Sequence, residues 1–270
     1  MAKVVDDLPG ASSGLLVAGD PDPVIAGNLG GVSPLVLLGD HAGRAVPQRL
    51  ADLGLSASEL ERHIGWDIGV AGLGAALSVK LDAAFIGQAY SRLVIDCNRA
   101  PARRDSIATV SDATSVRGNL HLSLAEAGAR AEEIFYPYHD RIAAELDDRL
   151  AQGRPTILVS LHSFTPAMSG QQRPWRFGVL HRGDSAFSAA VLAALRFREG
   201  AAVGDNQPYT MDDADFTVPH HADPRGLDYL ELEVRQDLIA TPGQQAQIAD
   251  LVASVMREAL ATLPARPGGG

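Results

Sequence analysis

Residues 156–166 read TILVSLHSFTP, an apolar run that stops abruptly at His162 and Ser163. Apolar residues around a single serine predict a buried strand, and the proline at the end predicts that the chain turns away from the sheet there. We therefore expect His162 at the carboxyl end of a strand. That edge is where open α/β sheets place their binding sites.

The same arrangement occurs earlier in the chain. Residues 34–38, PLVLL, predict a second apolar strand, and Gly39, Asp40 and His41 follow it directly. Two imidazoles at two strand ends suggest a metal centre, because histidine is a common ligand of zinc and similar ions. A metal centre in turn suggests hydrolysis. The alternative is that each histidine is a structural residue held by hydrogen bonds at the sheet edge.

Strands and helices alternate along most of the chain. We expect strands at 34–38, 93–95, 156–161, 177–180 and 229–234, and helices at 46–53, 56–81, 123–150, 186–198 and 244–263. The helix at 56–81 begins with Ser56-Ala-Ser-Glu59, which has the spacing of a capping box. This alternation predicts an α/β fold, a single-domain three-layer α/β/α sandwich with a mixed central sheet.

The composition is that of an ordinary globular protein. The chain has 270 residues, of which 46% are hydrophobic and 21% are charged. One domain over residues 33–264 therefore has enough apolar side chains for a core. Residues 1–32 are rich in Gly, Pro, Asp and Ser and predict an extended N-terminal arm, and residues 265–270 predict a flexible tail.

Charge and cysteine content argue against several classes of protein. The formal net charge is −10 and no cluster of Lys and Arg interrupts it, so nucleic acid is not an expected partner. Cys97 is the only cysteine, which fits a reducing compartment. The start of the chain lacks the pattern of a signal peptide, and no apolar run has the length of a membrane helix. We therefore expect a cytoplasmic protein without membrane contact.

A third metal ligand is harder to place. His63 and Asp67 lie on the helix predicted for residues 56–81, and their i,i+4 spacing puts both on one face. Asp67 is a candidate ligand, and the alternative is a His–Asp pair on a solvated helix face. Asp40 is the competing carboxylate, although in an extended backbone it points to the opposite side from His41.

Two glutamates, Glu231 and Glu233, share one face of the strand predicted at 229–234. Burial of such a carboxyl group raises its pKa towards that of a working general base. The alternative is a solvent-facing edge strand in which charged and apolar residues simply alternate.

Residues 91–99, SRLVIDCNR, predict a further strand that ends in polar residues. Arg99 offers a planar fork that binds a carboxylate, and the amide of Asn98 donates beside it. In the alternative interpretation Asp96 pairs with Arg99 and Asn98 caps a turn. Arg173 and His221 are further candidates for substrate contact, although a lone histidine such as His221 or His139 is more often structural.

Several of these segments together resemble the N-formylglutamate amidohydrolase family. The matching stretches are 40–42, 63–69, 91–99, 137–139, 160–166, 173–175, 205–209 and 233–237. That family is similar to zinc carboxypeptidases and to succinylglutamate desuccinylases and aspartoacylases. The resemblance implies a zinc-exopeptidase-like fold, with His41 and His162 as zinc ligands, Asn98 and Arg99 in carboxylate recognition, and Glu233 as the general base.

The sequence departs from the related carboxypeptidases at one position. Those enzymes carry a ligating glutamate three residues after the first histidine, and Arg44 stands there in this chain. The carboxylate ligand must come from elsewhere, and we expect it to be Asp67.

The resemblance implies zinc-dependent hydrolysis of N-formyl-L-glutamate to formate and L-glutamate, a small anionic substrate. Glu233 takes a proton from water and passes it to the leaving amine, Arg99 and Asn98 hold one substrate carboxylate, and Arg173 is a candidate for the other. The alternatives are a zinc-dependent deacylase or peptidase of another N-acyl amino acid, a metal-bound regulatory protein without turnover, and a metal-free binding module.

Overall fold

A seven-stranded mixed sheet forms the centre of the protein in a computed structural model that describes residues 14–264. Its strands are β1 Val24–Gly27, β2 Leu35–Gly39, β3 Ala84–Gln88, β4 Ile157–Phe164, β5 Phe177–Leu180, β6 Val203–Asp205 and β7 Asp228–Arg235. They lie in the order β1-β3-β2-β4-β7-β5-β6. The four strands β3, β2, β4 and β7 are parallel, and β1 and β5 pair antiparallel with β3 and β7.

Helices cover both faces of this sheet. They are α1 Ala57–Leu60, α2 Val70–Leu81, α3 Leu124–Arg130, α4 Tyr136–Ala151, α5 Ala186–Glu199, α6 Thr217–Ala222 and α7 Pro242–Thr262. Helices α2, α5 and α7 pack on one face, and α4 and α6 pack on the other. Among residues 14–264, no helix combines the length and the apolar composition that a membrane span requires.

The central strands are buried on both faces, which explains why they read as continuous apolar runs. In β2, Leu35 and Leu37 belong to the core under α2, α5 and α7, whereas Val36 and Leu38 belong to the core under α4. The predicted three-layer α/β/α sandwich with a mixed sheet is therefore confirmed.

Most predicted elements agree with the structure, but the N-terminal arm does not keep its expected form. Residues 24–27 form the edge strand β1, which pairs with β3 in register Val24 to Gln88. The expectation of an arm with little regular structure up to residue 32 is thus wrong for these four residues. Residues 1–13 and the predicted tail at 265–270 lie outside the described part of the chain.

The helix predicted over residues 56–81 is interrupted. The capping box at Ser56 and Glu59 is present, but α1 ends at Leu60 and α2 starts only at Val70. Gly69 has a φ of +87°, and a Cβ there would lie 2.1 Å from the carbonyl oxygen of Ile239. The chain therefore passes through residues 61–69 as a series of turns, and His63 and Asp67 do not share a helix face. Residues 46–53 are likewise irregular, with one 3-10 turn at Gln48–Leu50.

Residues 93–95 were expected to be a strand and are instead part of a buried loop. Its carbonyl groups are satisfied by buried side chains: Asn119 Nδ2 donates to Leu93 O at 2.8 Å, and Arg130 Nη1 donates to Val94 O at 2.8 Å. Because Leu93, Val94 and Ile95 pack into the core, the loop has the composition of a strand without its hydrogen bonds. The helix predicted at 123–150 is present as α3 and α4, joined by a π-helical segment at Ala131–Phe135.

We predict that Asn119→Ala destabilises the protein by about 3 kcal/mol, because it removes the donor to Leu93 O and Ala108 O and one of the two acceptors of Arg130 Nη1, at about 1–3 kcal/mol for an orphaned group. Urea unfolding measures the change. The exposed Gln152 serves as control, and Gln152→Ala should change the free energy of unfolding by less than about 0.5 kcal/mol. Equal stability of Asn119→Ala and the parent would show that the loop does not depend on this side chain.

Candidate metal centre

Three adjacent parallel strands bring the candidate side chains to one edge of the sheet. Strand β4 lies between β2 and β7, and His162 of β4 is directly opposite Glu233 of β7. Asp40 and His41 follow the end of β2, so they reach the same edge. The topology therefore places at one position residues that are about 190 positions apart in the sequence.

Asp67 lies against both imidazoles in this cluster. Its Oδ2 is 3.0 Å from Nδ1 of His162 and 3.6 Å from Nδ1 of His41. All three residues are buried, and one ligand atom of each lies within 4.8 Å of the others. Two hydrogen bonds from backbone N–H groups hold Asp67 in place. Asp67 N donates to His41 O at 2.9 Å, and Ser163 N donates to Asp67 Oδ2 at 3.1 Å.

The opposite ring nitrogens are held by other polar groups. His41 Nε2 is 2.6 Å from Asp96 Oδ1, and His162 Nε2 is 2.9 Å from Ser160 Oγ. His41 Nδ1 is buried and has no hydrogen-bond partner among the described residues. Metal-binding histidines characteristically use one nitrogen for the ion and the other for a carboxylate or similar group. The orphaned Nδ1 and the two-His, one-carboxylate donor set therefore fit a metal ion such as zinc.

The electrostatics of the cluster also favour a cation. Burial by itself would raise the pKa of Asp67. The charge of His41 and the hydrogen bond from His162 lower this pKa by more than burial raises it, so the carboxyl group is ionised. Asp96 behaves in the same way, with Arg92 as the main opposing influence. Burial lowers the pKa of His162, yet its contacts with Asp40 and Asp67 raise it well above the ordinary value. The negative charge of the buried carboxylates must therefore be compensated by positive charge, which a divalent ion or protonated imidazoles supply.

Asp40, the competing candidate for the third ligand, lies behind His162. Its Oδ1 accepts hydrogen bonds from Tyr138 Oη at 2.9 Å and Thr217 Oγ1 at 2.8 Å, and its Oδ2 accepts one from Ser160 Oγ at 3.1 Å. Oδ2 is also 3.4 Å from Nε2 of His162, the nitrogen that faces away from Asp67. The geometry therefore suits Asp40 to holding His162 and suits Asp67 to binding an ion.

Arg92 is a part of the site that the sequence interpretation missed. Its Nη2 is 2.6 Å from Asp96 Oδ2, and its Nη1 is 3.5 Å from Asp67 Oδ1. The i,i+4 spacing of Arg92 and Asp96 was a signal that could have found this pair. The Asp96–Arg99 side-chain pair of the alternative interpretation is not formed, because both Asp96 oxygens are engaged by His41 and Arg92.

Glu231 and Glu233 face a cavity of ≈ 530 Å³ that also contacts the candidate metal ligands. Both are buried, and in each the Oε2 atom has no hydrogen-bond partner among residues 14–264. Burial is the main cause that raises the pKa of Glu233 to about 7 and that of Glu231 to about 8. The alternative of a solvent-facing edge strand is wrong, since β7 lies between β4 and β5. The cavity has the size of a site for a small molecule.

Asn98 and Arg99 also line the cavity. Asn98 Oδ1 accepts hydrogen bonds from the backbone N–H groups of Phe216 and Thr217, both at 2.9 Å, so it satisfies backbone donors at the start of α6, a contact that the sequence interpretation did not include. Arg99 Nη1 donates to Asp215 Oδ1 at 3.2 Å. Arg99 Nε is also 3.7 Å from Asp105 Oδ2, and Asp105 and Asp215 both line the cavity.

Arg173 and His221 lie outside the cavity wall. Arg173 Nη1 donates to the hydroxyl of Tyr209 at 3.0 Å, and Tyr209 is the residue that lines the cavity. His221 is fully buried, and its Nε2 is 2.9 Å from Nδ1 of His139. The expected substrate contact of His221 is therefore wrong, because the histidine packs behind the site. His139 in turn is 2.9 Å from the carbonyl oxygen of Cys97, which makes it structural as well.

Comparison with known proteins gives a family and several similar solved structures. A model of the N-formylglutamate amidohydrolase family matches residues 33–240. The chain is similar to gene product Atu2144 of Agrobacterium tumefaciens, with 35% sequence identity, a TM-score of 0.88, and 92% of this chain and 98% of that chain covered. It has the fold of N-formylglutamate amidohydrolase from Ralstonia eutropha JMP134, with 20% identity, a TM-score of 0.64, and coverage of 89% and 98%. No curated protein sequence matches the chain.

We predict that the protein binds one zinc ion and that His41→Ala and His162→Ala each abolish stoichiometric zinc, because each variant keeps only one imidazole and one carboxylate of the three proposed donors. Elemental analysis after dialysis measures the zinc content. His121 is exposed and has a φ of +58°, so His121→Asn is a matched control that keeps the backbone conformation accessible. Full zinc content in both alanine variants would show that the site is elsewhere.

The third ligand is tested by a second pair of variants. Asp67→Ala should prevent stoichiometric zinc binding, whereas Asp40→Ala should weaken zinc affinity by about 10–100-fold, the usual cost of losing a residue that supports a ligand. A titration of each variant with zinc, monitored by calorimetry, measures both affinities. Loss of zinc in Asp40→Ala together with retention in Asp67→Ala would reverse the assignment.

Proposed function

The chain belongs to the N-formylglutamate amidohydrolase family and is an amidohydrolase, and from this premise we propose that it is a zinc enzyme that hydrolyses N-formyl-L-glutamate to formate and L-glutamate. The family match confirms the resemblance seen in the sequence. The observation that carries the proposal is the buried group of His41, Asp67 and His162, which shares a cavity with the unpartnered carboxyl group of Glu233.

His41, Asp67 and His162 would hold the metal ion. When bound, zinc supplies Lewis acidity towards a carbonyl oxygen and makes a water molecule more acidic. The protein's own contribution is to fix the donors. Asp96 orients the ring of His41, and Ser160 and Asp40 orient the ring of His162, so the three ligand atoms are placed before an ion arrives.

Glu233 is the proposed general base. It lies opposite His162 in the β4–β7 register, and its Oε2 has no competing partner in the described chain. A carboxyl group whose pKa is about 7 both accepts and returns a proton near neutral pH. The carboxylate takes a proton from the attacking water, the water oxygen bonds to the formyl carbon, the C–N bond breaks, and the proton passes to the leaving amine.

Arg99 is the proposed contact for a substrate carboxylate. The residue lines the cavity, and its Nη1 is anchored by Asp215. Asn98 supports it indirectly, since Asn98 Nδ2 also donates to Asp215 Oδ1 at 3.2 Å. Arg173 contacts the cavity only through Tyr209, so we assign it no direct contact with substrate.

We predict that Glu233→Gln keeps its zinc but loses about 10²–10⁴-fold in turnover, because glutamine cannot accept the water proton. Formate release from N-formyl-L-glutamate measures the activity. Glu231→Gln, two residues away on the same strand face, is the matched variant and should lose far less. Full activity of Glu233→Gln would refute this mechanism, and a larger loss in Glu231→Gln would move the role to that residue.

We predict that Arg99→Ala lowers kcat/KM for N-formyl-L-glutamate by well over tenfold, since losing a partner of a buried carboxylate costs about 2–5 kcal/mol. An uncharged N-formyl amino acid amide should be affected far less. Arg196, which pairs with Asp205 at the surface and does not line the cavity, provides the control Arg196→Ala. An equal loss on both substrates would instead indicate a structural role for Arg99.

The alternative function is hydrolysis of another N-acyl amino acid by the same residues. A panel of N-acyl amino acids assayed with the zinc-loaded protein separates the two. A preference of the wild-type enzyme for neutral substrates would favour the alternative over N-formyl-L-glutamate.

A further inference from the structure

Glu231 is a buried carboxyl group that the proposed mechanism does not use. It is 3% exposed, it lines the cavity, and its Oε2 has no hydrogen-bond partner among the described residues. A buried polar atom without a partner is costly, so native proteins rarely keep one without a reason. Because the side chain of Glu231 lines the cavity, the missing partner is expected on the ligand.

Glu231 shares the cavity with two parts of the site. It is opposite Ser160 on β4, two residues before His162, and opposite Leu180 on β5. His162, Asp215 and Arg99 line the same cavity, and Asp215 is the residue that anchors Arg99. The strand register and the cavity lining therefore place Glu231 in the space that the candidate metal centre shares with the proposed carboxylate contact.

An N-acyl amino acid has one hydrogen-bond donor between its acyl carbon and its α-carboxylate, the amide N–H. With the acyl carbon beside His162 and the carboxylate at Arg99, the amide N–H of the scissile bond lies in between. This N–H needs an acceptor when water is excluded. The carboxyl group of Glu231 offers an acceptor oxygen whether it is protonated or ionised.

We propose that Glu231 is a substrate-binding residue whose carboxyl oxygen accepts a hydrogen bond from the N–H of the scissile amide. The inference rests on the proposed function, hydrolysis of an N-acyl amino acid at this site. It assigns to Glu231 a role in orienting the amide and in selecting amides over esters, which lack this donor. Glu233 keeps the separate task of proton transfer.

The test compares an amide with its ester in two variants. The probes are N-formyl-L-glutamate and 2-formyloxyglutarate, in which oxygen replaces the N–H. Glu231→Met removes the acceptor while keeping a buried side chain of similar length, and it should lower kcat/KM at least tenfold on the amide and less than threefold on the ester. Glu231→Gln keeps an acceptor oxygen and should stay within threefold of the wild type on both. The exposed Glu132 provides the control Glu132→Met, which should change neither value.

Several outcomes would overturn the inference. An equal loss on amide and ester in Glu231→Met would show a role without the N–H, and no loss on the amide would show no role at all. A loss in Glu231→Gln as large as in Glu231→Met would assign the effect to the proton or charge. Thermal unfolding and zinc content of each variant exclude a folding defect, and Glu231→Leu is the second apolar variant if the methionine variant does not fold.

The failure of the proposed function is a separate result. If the wild-type enzyme does not release formate from N-formyl-L-glutamate, that proposal fails on its own. The comparison is then made with whichever N-acyl amino acid the enzyme hydrolyses and with the ester of the same acid, and the same ratios decide the role of Glu231.

Discussion

Three buried carboxylates, those of Asp40, Asp67 and Asp96, surround two imidazoles at the carboxyl ends of the central strands. Buried anions are stable only when hydrogen bonds or positive charge compensate them. Each carboxylate here has such partners: Tyr138 and Thr217 bind Asp40, Arg92 binds Asp96, and Asp67 lies between the two histidines. The need to compensate this charge links β2, β4, α4, α6 and the two loops at 61–69 and 91–99. It also explains why an ion of double positive charge suits the position.

The loops that complete the site are buried, and their backbone is held by side chains rather than by a sheet or a helix. Asn119 and Arg130 satisfy the carbonyl groups of the loop at 91–99, and Gly69 allows the close approach to Ile239 that ends the loop at 61–69. Irregular backbone does not impose on its side chains the fixed directions that a helix or a strand imposes. As a result Asp67 and Asp96 both reach His41 from segments that neither helical nor strand geometry would bring there.

The sequence was informative where a pattern has one physical meaning. The apolar runs at 34–38 and 156–161 had to be central strands, so the places of His41 and His162 at the sheet edge followed from them. Residues 93–95 were mistaken for a strand because burial, not hydrogen bonding, determines composition, and a buried loop looks the same. The helix expected at 56–81 is interrupted in the structure, because helical periodicity in a sequence gives no sign of the close backbone contact at Gly69. His221 was expected in the cavity, but one sequence does not show which histidines pack behind a site, and the partners of Asp96 are likewise fixed only by tertiary structure.

We propose that His41, Asp67 and His162 together bind a metal ion that serves hydrolysis. The most direct test is a crystal structure of the zinc-loaded wild-type protein with anomalous diffraction recorded on both sides of the zinc absorption edge. We expect one anomalous peak within about 2.0–2.2 Å of a nitrogen of each histidine and an oxygen of Asp67. A peak coordinated by Asp40 instead of Asp67, or one outside this cluster, would contradict it.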